Sequence, residues 1–168
     1  VAFPLMVQGI VFQLQNLTDK AFLGNMDTKY VSASGAAQMP FYSLIDSIVA
    51  LGMGLIIIVS RLYGAKEKKK ITEFTKSAIT FNSVLGSLLF ILWQWQGETI
   101  LRFFQVDESI MSYSLSYVKI SAFYLLFFGV DCALQGMLQG LGDTKPIMYA
   151  GILKVGVNIV LSWVLIFG

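Results

Sequence analysis

Residues 13–24 read QLQNLTDKAFLG and place a carboxylate, Asp19, inside an otherwise apolar span. If residues 1–23 form one helix, the 100° step per residue brings Gln8, Phe12, Gln15 and Asp19 within about 40° of a common line, a polar stripe on one face. An ionised Asp at the centre of a lipid-embedded helix costs roughly 2.5 to 3.5 kcal/mol, and less towards the end, so Asp19 is expected to face protein or water. Two readings are open: an ion or proton site, or a helix end in the outer interface beside Lys20. Phe22 and Leu23, which continue the apolar run, favour the first.

The surrounding chain has the composition such a helix implies. Of 168 residues 56% are hydrophobic and 13% charged, with a mean hydropathy of +0.71, too apolar for a soluble domain of this length. A net charge of +2, with no Lys/Arg run interleaved with stacking aromatics, argues against nucleic acid as a partner. Histidine is absent and Cys132 is the only cysteine, which excludes disulfides within the chain, zinc ligand sets and Cys/His or Ser/His/Asp triads. A membrane enzyme is therefore the least supported class, and no cofactor is expected. The chain begins at Val1 without an initiator Met and ends on Phe167-Gly168 in an apolar run, so it is expected to be part of something longer.

A helix needs about 20 apolar residues to cross a hydrocarbon core of roughly 30 Å, and the sequence divides into five such segments. The expected fold is all-α: a polytopic membrane bundle with helices at about 1–23, 33–60, 74–95, 113–138 and 146–168. Pro4 sits in the first turn of the first helix, Pro40 is expected to interrupt the second, and Gly52 and Gly54 allow close helix contact there. Between the second and third helices, RLYGAKEKKKITEFTK carries Arg61, Lys66, Lys68, Lys69, Lys70 and Lys76, half of all Lys and Arg. The positive-inside rule makes loop 61–76 cytoplasmic. Loops 24–32 and 96–112 are then outside, with Lys29 and Arg102 set against Asp27, Glu98, Asp107 and Glu108, and loop 139–145 is inside. Trp93 and Trp95 read as an interfacial belt.

Other helices carry polar residues too. Tyr124, Asp131, Gln135 and Gln139 share a line that faces either a cavity or a partner helix. Asp46 has Tyr42 a turn before it and Met53 and Ile57 along its line, so a structural hydrogen bond and a functional role are both open. Lys154, Asn158 and Ser162 recur every four residues beside Gly151, and Lys154 either snorkels inward or pairs with Asp131.

Three of these stretches resemble one family, the multidrug and toxic compound extrusion (MATE) transporters. PLMVQGIVFQLQNLTDKAFLGNM (4–26) resembles the family's first helix, with Pro-Leu at its start and Asn-x-x-Asp-x-x-Phe-x-Gly near its outer end. SRLYGAKEKKK (60–70) is similar to the segment after the second helix. LQGLGDTKPIMYAGILKVGVNIVLSWVLIFG (138–168) is similar to the Gly-x-Gly-Asp-Thr-Lys turn followed by Asn-Ile-x-Leu and a closing Ile-Phe-Gly. In this order and spacing they cover the chain as five helices of a six-helix amino-terminal lobe.

The resemblance implies a secondary exporter with two pseudo-symmetric lobes in the cell (inner) membrane. Its partners would be the lipid bilayer, a small-molecule substrate, the sixth helix and the carboxy-terminal lobe. It implies coupling by a proton or sodium ion at an Asp of the first helix and an Asn and an Asp one turn apart on the fifth. Asp19 and Asn158 match two of these, with sodium possible between them. Ser162 stands at the third, so a pair of carboxylates is reduced to one; Asp131 is the alternative second charge. Gln15, Asp46, Asp131, Gln135 and Lys154 are auxiliary candidates. The expected activity is antiport of organic, cationic or amphiphilic molecules. A lipid-linked oligosaccharide flippase would call for several mid-helix cations where only Lys154 stands, and a non-transporting subunit would have no use for Asp19, Asp46 and Asp131.

Overall fold

The computed structural model describes residues 2–26 and 28–167, with side chains throughout except at 2, 23, 25, 26 and 165–167. Among the described residues every element is helical: α1 (Ala2–Met26), α2 (Thr28–Gly64), α3 (Lys68–Phe103), α4 (Met111–Ser121), α5 (Leu125–Leu141) and α6 (Lys145–Phe167). A 3-10 turn at Ala122–Tyr124 joins α4 and α5 into a single helical span, Met111–Leu141. The five expected segments are all present, and the helices outrun them. At 37 and 36 residues, α2 and α3 extend about 55 Å, well past a hydrocarbon core. Hydropathy marks where lipid would end, whereas helical hydrogen bonding continues into water.

Two expected loops shrink accordingly. α2 begins at Thr28, within the supposed loop 24–32, and Asp27 lies outside the described residues. Of the basic run, Arg61 belongs to α2 and Lys68, Lys69, Lys70 and Lys76 belong to α3, leaving only Lys66 in the three-residue connection. Lys66 adopts a left-handed φ of 60°, and Glu67 N donates back to the Leu62 carbonyl, closing the end of α2 as a glycine commonly would. Among the described residues four spans are, by length and composition, long and apolar enough to cross a membrane: α2, α3, α4 with α5, and α6. α1 is long enough at 25 residues but less apolar, because of the Gln, Asn and Asp residues of its second half.

The chain forms two compact units: residues up to 31 with those from 142 onward, and residues 32–141. The larger contains most of α2, with α3, α4 and α5. Its apolar core includes Phe41, Ile45, Ile48, Leu89, Trp93 and Leu125. Trp93 is fully buried, its ring 5.6 Å from that of Phe41, whereas Trp95 is 85% exposed. Only Trp95 can belong to an interfacial belt. The reason is periodicity: Asn82, Gly86, Leu89, Trp93 and Gly97 fall at helical spacing on the buried face of α3, which continues ten residues beyond Trp93.

Small residues let α5 lie backbone to backbone against its neighbours. A Cβ at Gly129 would stand 2.5 Å from the Asn82 carbonyl of α3, and one at Gly136 would stand 2.8 Å from the Gly52 carbonyl of α2. Gly52 meets the Cys132 sulfur as expected of a close contact, while Gly54 faces open space. Pro40 is buried and α2 runs through it without interruption. Opposite these contacts, in the connection from α3 to α4, Arg102 bonds Glu98 and Glu108, and Asp107 Oδ1 accepts from Ser109 N at 2.7 Å.

The smaller unit pairs α1 with α6. Gly142, with φ 78°, turns the chain after α5, and the Thr144 carbonyl accepts from Met148 N to start α6, one residue before Pro146. A proline in this first turn loses no helical hydrogen bond.

Candidate functional site

The smaller unit brings the leading candidates onto two packed helices. On α1, Gln8, Gln15 and Asp19 are half-buried, whereas Phe12 is 47% exposed and drops out of the stripe. On α6, Gly151, Asn158 and Ser162 are half-buried and Val155 is buried between them, while Lys154 is exposed. Lys154 therefore lies off the shared face. A Cβ at Gly151 would stand 3.1 Å from Gln8 Cγ, so the absence of a side chain there is what admits Gln8.

That contact sets a register. Three crossings intervene between α1 and α6, so two helices that both cross run in the same direction. Stepping on from Gln8 and Gly151 by seven residues leads to Gln15 and Asn158, and by eleven to Asp19 and Ser162. Both steps return to within about 20° of the starting line and climb about 10 and 17 Å. On that register the two polar stripes would match in level and in facing.

Hydrogen bonding within this unit is incomplete in one direction. The Gln15 side chain donates an amide N–H to the Asp19 carboxylate one turn on. Its carbonyl oxygen, Oε1, is buried without a partner, and so is Oδ1 of Asn158. An unmet buried acceptor costs about 1 to 3 kcal/mol, so two of them on facing helices call for a shared donor or cation. With the carboxylate of Asp19 and the hydroxyl of Ser162, the polar groups on these two faces offer oxygen acceptors, the type that suits a proton or a hard monovalent ion. Among the described residues no group of three His, Cys, Asp or Glu side chains occurs.

The remaining candidates lie in the larger unit. Gln135 Nε2 donates to Asp131 Oδ2 at 2.9 Å, so Asp131 is already engaged on its own helix. Asp46 is exposed on α2. Among the buried polar residues that the sequence did not single out, two on α3 carry unpartnered atoms. Asn82 gives Nδ2 to the Gly129 carbonyl at 3.4 Å and leaves Oδ1 unpartnered, and Thr75, two turns earlier, is also buried. The signal available was their spacing of seven along the apolar face of α3.

Residues 4–164 match the family described as MatE. The chain is 26% identical to the probable multidrug resistance protein YoeA of Bacillus subtilis over 98% of its length. It is 29% identical to the multidrug resistance protein NorM of Vibrio cholerae over 87%. It spans only 36% and 34% of those proteins. A solved structure of a MOP superfamily transporter from Pyrococcus furiosus covers 98% of the chain with a TM-score of 0.90, at 22% identity, and the chain covers 36% of it. That likeness shows the same fold. With four apolar spans and these relatives, this is an integral membrane protein, and the chain belongs to the MatE family.

Proposed function

We propose that this chain is the coupling-ion half of a transporter that exports organic molecules by antiport against protons or sodium ions. The supporting observation is the pair of unpartnered carbonyl oxygens, Gln15 Oε1 and Asn158 Oδ1, on the helices that carry Asp19 and Ser162. Asp19 supplies the negative charge, Gln15 orients it, and Asn158 and Ser162 complete the oxygen set from α6. A multidrug role, rather than catalysis, is what the named relatives favour. Because the chain spans about a third of them, the substrate path is completed by further helices of a longer protein. Oligosaccharide flipping receives less support, since Lys154, the cation within α6, lies off the polar face.

The orientation follows from charge: the basic ends of α2 and α3, Arg61 to Lys76, lie on the cytoplasmic side of the cell membrane. A cysteine replacing Lys69 would then react with an impermeant reagent only from inside. The function itself is tested with the full-length polypeptide in proteoliposomes, following efflux of a fluorescent organic cation under an imposed proton or sodium gradient. Asp19→Asn keeps the shape of the side chain but has neither charge nor a titratable proton, so gradient-driven efflux is lost while insertion and folding persist. Undiminished coupled efflux by this variant would assign Asp19 to structure.

A further inference from the structure

Asp46 has no place in the coupling set, and its surroundings in the larger unit are unlike those of Asp19 and Asp131. It is exposed halfway along α2, about 27 Å from either end of that helix. Asp131 has Gln135 as a donor, whereas among the described residues no ion pair or hydrogen bond reaches the Asp46 carboxylate. The nearby hydroxyls are committed elsewhere: Ser43 Oγ donates to the Met39 carbonyl at 2.8 Å and Ser47 Oγ to that of Leu44 at 2.7 Å. A bare carboxylate at this depth cannot be left facing hydrocarbon.

The residues beside it define what it can face. Met39 and Met53 lie two turns to either side within about 20° of its line, and Tyr42 lies one turn before it. They are 73%, 62% and 44% exposed, while the opposite face of α2, with Phe41, Ile45 and Ile48, is core. One carboxylate, with no counter-charge among the described residues, is thus set in a strip of polarisable thioethers and an aromatic ring. Thioethers adapt to varied apolar shapes, and aromatic faces attract cations, so the strip is complementary to a bulky organic cation with diffuse charge. A compact, strongly hydrated ammonium or metal ion would want several oxygen donors, which this face does not offer.

Resting on the exporter reading above, we propose that Asp46, flanked by Met39, Tyr42 and Met53, is the residue by which the transporter selects positively charged substrates, separately from ion coupling at Asp19. The test is binding by the purified full-length polypeptide of tetraphenylphosphonium and tetraphenylborate, ions of one shape and opposite charge. The wild-type protein prefers the cation. Asp46→Asn weakens cation binding about tenfold or more and leaves anion binding unchanged or tighter, Asp46→Glu retains the preference, and Asp19→Asn retains it too.

Wild-type protein that binds the cation no better than the anion would overturn the selection of organic cations altogether. A preference that survives Asp46→Asn intact would overturn only the role of Asp46. An Asp46→Asn protein that unfolds, or loses both ions equally, would show that Asp46 neutralises a cation elsewhere in the longer polypeptide and would likewise overturn it.

Discussion

The larger unit and the smaller one are both built from apolar helices, and both bury polar atoms without partners, yet the residues around those atoms differ. Where α5 meets α3 and α2, glycines let backbones touch, and apolar side chains fill the core around Trp93. Where α1 meets α6, the shared face carries Gln8, Gln15, Asp19, Asn158 and Ser162, with two carbonyl oxygens unmet. The larger unit also buries unpartnered atoms, at Thr75, Asn82 and Trp93, but its fully buried polar residues are neutral, whereas the unmet acceptors of α1 and α6 share their helices with the Asp19 carboxylate. Under the function proposed above, rigidity and chemistry fall to different helices.

The contrast is broken most forcefully through the glycines. Gly129→Val drives a side chain into the Asn82 carbonyl, a backbone atom that cannot rotate away, and should cost about 3 kcal/mol or more. Gly9→Val in the smaller unit meets nothing within 4 Å and should change stability by less than about 1 kcal/mol. Thermal unfolding of the two variants in the same detergent compares them directly, and equal losses would remove the distinction between the units.

A second effect, about tenfold, is expected in function and not in stability. Asn158→Leu removes an unpartnered acceptor, so the unfolding temperature should hold or rise while the coupling ion binds about tenfold more weakly. Asn82→Leu also removes an unpartnered acceptor, but it deletes with it the amide that donates to the Gly129 carbonyl in the larger unit, and should lower stability by about 1 kcal/mol with ion affinity unchanged. Should Asn158→Leu destabilise the protein instead, its amide would be structural. Ser162→Ala is smaller still: the loss of one neutral hydroxyl should weaken ion affinity about threefold, and no change would drop it from the oxygen set.

The smallest effect lies outside the membrane. Hydrogen bonds from Ser109 hold the Asp107 carboxyl below the ordinary carboxylate value. A depressed folded value means the bond favours the folded turn above the unfolded value near 4 and is lost as pH falls through the lower one. The Ser109 amide resonance should shift in acid together with the Asp107 carboxyl, and in Asp107→Asn it should not.

Much of this was legible in the sequence, because hydropathy and charge answer to the same forces that set the fold. The five helical segments, the Asp19 stripe and the Asn158–Ser162 repeat follow from periodicities that one helix displays alone. Properties that depend on a second helix were not legible. Trp93 has an aromatic neighbour at position 95 and looks interfacial, yet which of the two is buried is decided by Phe41 on α2. Lys154 shares the fourfold spacing of Asn158 and Ser162, but the Gly151–Gln8 contact sets the line of the seam and leaves Lys154 outside it. Nor could helix ends be read, since α2 and α3 continue beyond the apolar stretch that revealed them.

The central claim is that the polar stripes of α1 and α6 meet in the register fixed by Gln8 and Gly151. Disulfide cross-linking tests it in full-length protein in which Cys132 is replaced by Ala. Gln15→Cys combined with Asn158→Cys should form a bond rapidly under mild oxidation, while Gln15→Cys combined with Lys154→Cys, one turn lower on α6, should not. Linkage of the Lys154 pair in preference to the Asn158 pair would shift the register by a turn, separate Asp19 from Ser162, and contradict the site.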